Sequence, residues 1–281
     1  MINHAFERDN LDIHLICVQS HQKFSKMEKL SCHIITKNSE QYLETILQKI
    51  NSIVDEIIIV DSGSSDATES IAKMFEKVQF VYHPFASFKD QRNYAASLCK
   101  HPFVLFFDSD EVPDDQLILS IEKLKSQGFE HEAYAIARHW VVMGKKVHSI
   151  YPVISPDYPI RLINKQKVAF MDQSNLVHES PSGYESMGII EGNLLHRTFH
   201  DQDELERKLE HYTDMAAQDI IRRKKAVTWF KIVINPVSAL IKSYFFRGGY
   251  KDGKVGYILG MYAYRYTRKK YIKAGLLKLE Q

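Results

Sequence analysis

Residues 54–72 read VDEIIIVDSGSSDATESIA, and the change of character along that stretch decides the fold. Glu56–Val60 (EIIIV) is a nearly continuous apolar run, the pattern of a strand buried on both faces. Asp61-Ser-Gly-Ser-Ser-Asp66 supplies turn residues. Asp66 then stands where it can N-cap a helix over Ala67–Phe75, with Glu69 three residues on as a capping-box partner. A buried strand that runs through a polar turn into a helix is the repeating step of a parallel sheet.

The same step recurs on both sides. Leu30–Thr36 (LSCHIIT) reads as a strand, and Glu40–Ile53 carries apolar residues at 43, 46, 47, 50 and 53, a helical spacing. Downstream, Val78–Tyr82 reads as a strand, Lys89–Cys99 as a helix and Phe103–Phe107 (FVLFF) as another buried strand. Strands that alternate with helices at this interval predict an α/β fold, a mostly parallel Rossmann-like sheet covered on both faces. A helix from Asp115 to Gln127 follows, then strands over Ala133–Val142 and Pro159–Asn164 that suit a mixed sheet. Glu204–Lys224 is a strong, mostly polar helix. Residues 1–29 show no clean period and read as an N-terminal extension. The expected division is therefore 1–29, a catalytic domain over 30–203, and a helical basic region over 204–281.

Ligands bind open parallel sheets beyond the carboxyl ends of the strands. Three polar groups fall at such ends: Thr36-Lys-Asn-Ser-Glu40, Asp61–Asp66, and Asp108-Ser-Asp-Glu111. Asp108 and Asp110, spaced i, i+2 at a strand exit, can hold a divalent cation, which in turn neutralises a diphosphate. Oxygen ligands suit Mg²⁺ or Mn²⁺ and not zinc. The bland alternative is a solvated acidic turn, and five buried apolar residues directly before it favour the ligand site.

These segments carry a resemblance. HIITKNSEQYLETIL (33–47), VDEIIIVDSGSSDATESIA, DQRNYAAS (90–97) and FVLFFDSDE (103–111) resemble the donor domain of glycosyltransferase family 2, with its GT-A fold. Within that family the chain is similar to the bacterial lipopolysaccharide-core β-1,4-glucosyltransferase group, whose members carry VDSGS-D-T, QRN-A and LDADE segments. A looser similarity runs through Arg161-Leu162, Val177-His-Glu179, Leu195-His196 and the FFRGGY segment 245–250. Ser109 departs from the group, which more often has Ala there.

The resemblance implies roles. Thr36, Asn38 and Glu40 would line the nucleotide pocket, and Asp61 would face the base, the alternative for Asp61 being turn chemistry. For Asp66 capping is the preferred reading. Arg92 would pair with donor phosphate oxygens; Asn93 would orient the donor or the metal loop. Asp108 and Ser109 would meet the donor, and Asp108, Asp110 and a late histidine, His196, would complete the metal shell, with His200 as its rival. Inversion at the anomeric carbon needs a general base for the acceptor hydroxyl. Glu179 is that candidate, with His178 to orient it or bind the acceptor and Asp172 in reserve.

Composition bounds the rest. The 281 residues are 44% hydrophobic and 26% charged, enough to bury a core. No apolar run approaches the roughly 18–20 residues that span a bilayer. Ile13–Val18 is too short an apolar patch for a signal peptide. Three scattered cysteines (Cys17, Cys32, Cys99) without a CxxC pair suit reduced thiols. The formal charge of +2 hides an asymmetry: from Arg222 onward 15 Lys and Arg stand against only Asp252 and Glu280. That basic tail also holds Trp229, Phe230, Phe245, Phe246 and several tyrosines. Basic segments interleaved with aromatics suit the interface of an anionic bilayer; the alternative is a helical subdomain that packs on the sheet. The donor motifs argue against nucleic acid.

The expected protein is an inverting, metal-dependent transferase, cytoplasmic and peripheral on the inner face of the membrane. It would move a hexose, glucose foremost, from a UDP-sugar to a lipid-linked or lipopolysaccharide-core acceptor. A polyprenyl-phosphate sugar synthase and a non-catalytic sugar-nucleotide or glycan-binding protein are the alternatives.

Overall fold

The structure, a computed structural model, describes residues 27–171 and 180–279. In chain order come β1 (Leu30–Thr36), α1 (Glu40–Ile50), β2 (Glu56–Asp61), α2 (Thr68–Ala72), β3 (Val78–Tyr82), α3 (Phe88–Leu98), β4 (Phe103–Asp108), β5 (Glu111–Pro113), α4 (Asp115–Gln127) and β6 (Ala133–Val142). The short strands β7 (Lys145–Lys146), β8 (Ser149–Ile150) and β9 (Val153–Ile154) follow, then β10 (Ile160–Asn164), β11 (Ala169–Phe170), β12 (Pro181–Ser182) and β13 (Met187–Thr198). The chain closes with α5 (Gln202–Arg222), α6 (Trp229–Ile241) with a π-helical turn over Lys242–Phe246, and, after a 3₁₀ turn, α7 (Gly253–Leu279).

The main sheet runs β3-β2-β1-β4-β10-β6-β13-β5, with β7 added to β6. Its first four strands are parallel, β10 is antiparallel to both of its neighbours, and helices cover it, the mostly parallel arrangement of the GT-A fold. Register places Thr36 beside Asp61 and Ile35 beside Asp108. The polar exits of β1, β2 and β4 therefore finish level on one edge. One face is closed by Leu43, Ile46 and Leu47 of α1 and Leu117 and Ile121 of α4, the other by Ala95 of α3 with Phe106 and Phe170. Each fully buried Leu, Ile or Phe contributes about 1.5–3 kcal/mol against exposure, so the level edge is built on a rigid base.

Two local differences matter for that edge. α2 is limited to five residues, and Asp66 does not form a capping box with Glu69. Its Oδ1 accepts from the Thr68 amide and hydroxyl, while Oδ2 accepts from the Glu40 amide at the start of α1. Glu40 returns the bond, its Oε2 accepting from the Ala67 amide. Each acid thus satisfies an orphan donor at the other helix's start, and the turns after β1 and β2 are tied reciprocally.

β13 was not expected as a strand. It runs parallel to β6 and antiparallel to β5, with a register shift between Ile190 and Asn193. Gly192 sits in that irregularity at φ +106, and a Cβ there would lie 2.3 Å from the Leu117 amide nitrogen. Only glycine lets α4 approach so closely.

The helical region packs on the end of the sheet. Leu205 and Leu209 of α5 and Leu259 and Tyr262 of α7 share a core with Val142 and Phe199, and Trp140 lies against it. Arg265, Lys269 and Lys273 of α7 pair with Glu206, Glu210 and Asp214 of α5. Three of the tail's cations are therefore neutralised within the protein. Among the described residues no helix is long and apolar enough to cross a membrane. Cys32 and Cys99 are buried free thiols.

Candidate active site

The exits of β1, β2 and β4 form one wall of the site. Thr36 is buried and its hydroxyl donates to Asp61 Oδ1 at 3.1 Å. Asp61 also accepts from the Ser64 hydroxyl at Oδ1 and from the Gly63 and Ser64 amides, each 2.8 Å from Oδ2. Only 4% of Asp61 is exposed, and both its oxygens are engaged in closing the turn. Asn38 is similarly committed: its Oδ1 accepts from the Ser65 amide, and its own amide donates to Ser64 Oγ. With the Glu40–Asp66 tie, these residues brace one another, so their side chains serve the wall's shape.

Asp108 lies between two guanidinium groups. Arg92 on α3 donates to its Oδ1 at 2.5 Å, and Arg161 on β10 to its Oδ2 at 3.1 Å. Burial alone would raise the Asp108 pKa, but the arginines outweigh it and hold the carboxyl below its ordinary value. Arg92 also lies over the rings of Phe88 and Phe170. Asn93, the next residue on α3, pairs both ways with the Phe170 backbone, donating to its carbonyl and accepting from its amide. It therefore anchors β11. Ser109 Oγ accepts from the Ser39 hydroxyl at 2.8 Å, joining the acidic turn to the start of α1.

Glu111, fully buried, is the centre of the charge network. It accepts from Arg161 Nε at 2.7 Å and Nη2 at 2.6 Å, and from Arg138 Nη1 at 2.8 Å. Burial pushes its pKa up, yet Arg161 and its other partners hold it well below the usual carboxylate range. Arg138 also forks onto Asp157 through Nε and Nη2 and lies over the Trp140 ring. Glu111 and Arg161 stand in recognisable segments of the sequence but without a role, and Arg138 in none. The signals available were an arginine in the buried alternation of AYAIARHW, another in IRLIN, and a glutamate directly after the acidic pair.

β13 brings His196 opposite Glu111 on one side and Trp140 on the other. Its ring stacks on Trp140 at 4.2 Å between centroids. Nε2 faces Asp110 Oδ2 at 3.3 Å, while Nδ1 stops 3.6 Å from Glu111 Oε1 without a hydrogen bond. Burial lowers the His196 pKa, but Asp110 and Glu111 more than reverse this and raise it to about 9. The two carboxylates thus favour the charged form of the imidazole. His200 stands apart, its Nδ1 3.3 Å from the Tyr42 hydroxyl.

A divalent cation was expected on Asp108, Asp110 and His196. Among the described residues no three metal-capable side chains converge, and both Asp108 oxygens are engaged by Arg92 and Arg161. Asp110 and His196 do face each other, and such a pair fits a cation that takes its remaining ligands from a diphosphate and water. Asp172, His178 and Glu179 lie outside the described residues. The cluster as a whole is balanced: Asp108, Asp110, Glu111 and Asp157 stand against Arg92, Arg138, Arg161 and protonated His196.

The family model described as Glycosyl transferase family 2 matches residues 31–173, half of the chain. The chain belongs to glycosyl transferase family 2. It is accordingly a glycosyltransferase, and its donor is a nucleotide sugar. Its relatives include an uncharacterized glycosyltransferase of Rickettsia felis, 25% identical over 261 residues, covering 90% of this chain and 92% of that one. The lipopolysaccharide core biosynthesis glycosyltransferase LpsC of Rhizobium meliloti is 27% identical over 257 residues, covering 88% and 93%. A glucosyl-3-phosphoglycerate synthase from Mycobacterium tuberculosis, solved with Mn²⁺ and UDP-glucose, shares 17% identity over 64% of this chain and 75% of that chain, with a TM-score of 0.45. That likeness is too remote to transfer a substrate or a metal. Within the family match fall the wall residues, Arg92, the acidic turn, Arg138 and Arg161; His196 lies beyond it.

Proposed function

We propose that this family 2 enzyme is an inverting, cation-dependent hexosyltransferase. It transfers glucose or a related hexose from a UDP-sugar to a lipid-linked or lipopolysaccharide-core acceptor at the cytoplasmic face of an anionic membrane. The observation that carries the reading is the level edge where the acidic turn, Arg92 and Arg161 meet the Asp110–His196 pair. The name of the Rhizobium relative supports the choice of acceptor.

Chemically, the acceptor hydroxyl loses its proton to Glu179 as its oxygen bonds to the anomeric carbon. The bond from that carbon to the diphosphate oxygen breaks, and UDP leaves. Arg92 and Arg161, already at the edge, counter the charge that accumulates on the diphosphate. Asp110, with His196 once its ring yields a proton, would hold the cation, which supplies further positive charge to the leaving group. A site balanced in charge before binding accepts a diphosphate most readily together with a cation.

The test is release of free nucleoside diphosphate from a panel of nucleotide sugars. Wild type and Asp110→Ala are assayed with Mn²⁺, Mg²⁺ or EDTA, in the presence of lipid-linked acceptors. Metal-dependent turnover of one UDP-sugar, lost in Asp110→Ala, is the expected result. Turnover that is indifferent to EDTA would remove the cation from the mechanism, and no turnover with any donor would leave a binding protein.

A further inference from the structure

The tail divides into two parts with different surroundings. On α7 three of the cations, Arg265, Lys269 and Lys273, are paired with carboxylates of α5. α6 is different. From Lys224 to Lys251 the sequence holds six cations (Lys224, Lys225, Lys231, Lys242, Arg247 and Lys251) and no acidic residue. Among the described residues none of the six forms an ion pair with a carboxylate. Lys231 and Arg247 donate to the backbone carbonyls of Ala226 and Pro152, and Lys251 lies near the ring of Tyr250.

Between these cations lies an uncovered apolar face. Trp229 is 70% exposed, Phe245 60% and Phe246 82%, with Val233, Val237 and Ile241 exposed between them. Steps of about four residues place these side chains along one side of the helix. The opposite side carries buried Pro236, Ala239 and Ser243. Packing there is tight: a Cβ on Gly260 of α7 would meet Leu240 at 3.0 Å. The exposed row borders a shallow groove of about 530 Å³ lined by Val233, Ile234, Val237, Ile241, Lys242 and Phe246. Isolated exposed apolar residues are ordinary, but a continuous row of this length marks a surface that something covers.

We propose that the α6 face, from Trp229 through the π-helical turn to Phe246, is the element by which the enzyme sits in the headgroup layer of an anionic bilayer. This deepens, and rests on, the reading that the acceptor is held in a membrane. Charge complementarity selects the occupant. The aromatic and aliphatic row enters the acyl boundary while the bracketing lysines and arginine meet lipid phosphates, each cation near the surface adding attraction. A second copy of the chain would set six cations against six, which like-charge repulsion disfavours. The element is too short and too charged to span, so it lies in the plane of the interface.

The test is co-sedimentation of the full chain with vesicles of phosphatidylcholine, alone or with roughly one-third phosphatidylglycerol, at low and high salt. The fluorescence of Trp229 reports insertion; the other tryptophan, Trp140, is partly buried against the sheet-end core and away from this face. The variant Phe245→Ser/Phe246→Ser removes only exposed rings and should fold normally. Binding to the anionic vesicles is expected, with a blue shift, and the double variant should lose at least about tenfold in partitioning (about 1.4 kcal/mol). Lys269→Ala/Lys273→Ala on α7 should partition as wild type does. No binding by wild type, or equal binding by the Phe variant, would overturn the proposal. So would a dimer, seen by sedimentation velocity, that the Phe variant loses. Donor turnover with no added vesicles is measured separately: its absence alongside intact vesicle binding would count against the transferase mechanism, while the reverse pattern would count against the α6 surface.

Discussion

Replacing Glu111 with glutamine keeps the shape of the side chain and removes the charge at the centre of the site. The wild-type carboxylate accepts three bonds from guanidinium groups while wholly buried. Charge-assisted bonds contribute about 1.5–3 kcal/mol each and neutral ones about 0.5–1.5. Glutamine has a single acceptor oxygen, so the two bonds at Oε1 can survive as neutral ones while the Arg161 Nε bond at Oε2 is lost. Together this costs about 3–5 kcal/mol, as is typical of breaking a buried pair. Arg161 keeps Asp108 and Arg138 keeps Asp157, so the lower part of that range is expected. For a domain of this size the loss corresponds to a fall of roughly 10 °C in melting temperature.

The pH dependence supplies the discriminating measurement. Against the opposing effect of burial, its arginine partners hold the folded pKa of Glu111 well below the usual carboxylate value. Its contribution is fully present above the unfolded-state value and is lost as pH falls toward the folded one. Urea unfolding followed by circular dichroism should show a gap between wild type and Glu111→Gln that is constant from neutral pH to about 5. Below about pH 4.5 the gap should narrow by up to about 1.4 kcal/mol per pH unit. A gap under about 1 kcal/mol at neutral pH, or one that does not narrow in acid, would refute the assignment of Glu111 as a buried, ionised organiser of the arginines.

Three further outcomes are expected. His33 is buried against Phe106 with neither ring nitrogen partnered, and burial first, then Arg92, lower its pKa to about 3. The unfolded chain therefore takes up a proton below about pH 6.5 that the folded chain refuses, so His33→Leu should flatten the acid loss of stability between pH 6.5 and 4. Gly192→Ala should destabilise by at least about 2 kcal/mol in thermal melts, since it combines an unfavourable φ with a clash against the α4 backbone. Glu210→Ala on α5 should change stability by less than about 1 kcal/mol, and less still at high salt, because its partners Lys269 and Lys273 are exposed enough to be screened.

The parallel half of the fold was legible because its strands are buried on both faces and its turns carry distinct chemistry. β1, β3, α4 and β6 lie at the residues their periodicity predicts. β13 was not legible: Gly188 and Gly192 interrupt the alternation, and their reasons lie far off in the chain, the rings of His131 and Tyr134 for Gly188 and the α4 backbone at Leu117 for Gly192. That the acidic turn lies on the level edge follows from the buried strand before it, and there it meets Arg92. The hydrogen bonds by which Asp61 closes its turn could not be read, since an aspartate that closes a turn and one that meets a ligand carry the same local sequence. Asn93 illustrates the same limit, because its partner is the backbone of Phe170, 77 residues away. The Glu111 network depends on β10 and β6 lying beside β4, a juxtaposition no local pattern contains.

The reciprocal tie between Glu40 and Asp66 has a thermodynamic consequence. Two loops that could each sample many conformations are reduced to one joint body, because neither helix start can shift without stripping an amide from the other. The ordering of that wall is charged to folding and not to association. A ligand arriving at the edge meets a surface whose conformational entropy has already been surrendered, so its contact energy appears in affinity with little deducted for arranging the protein.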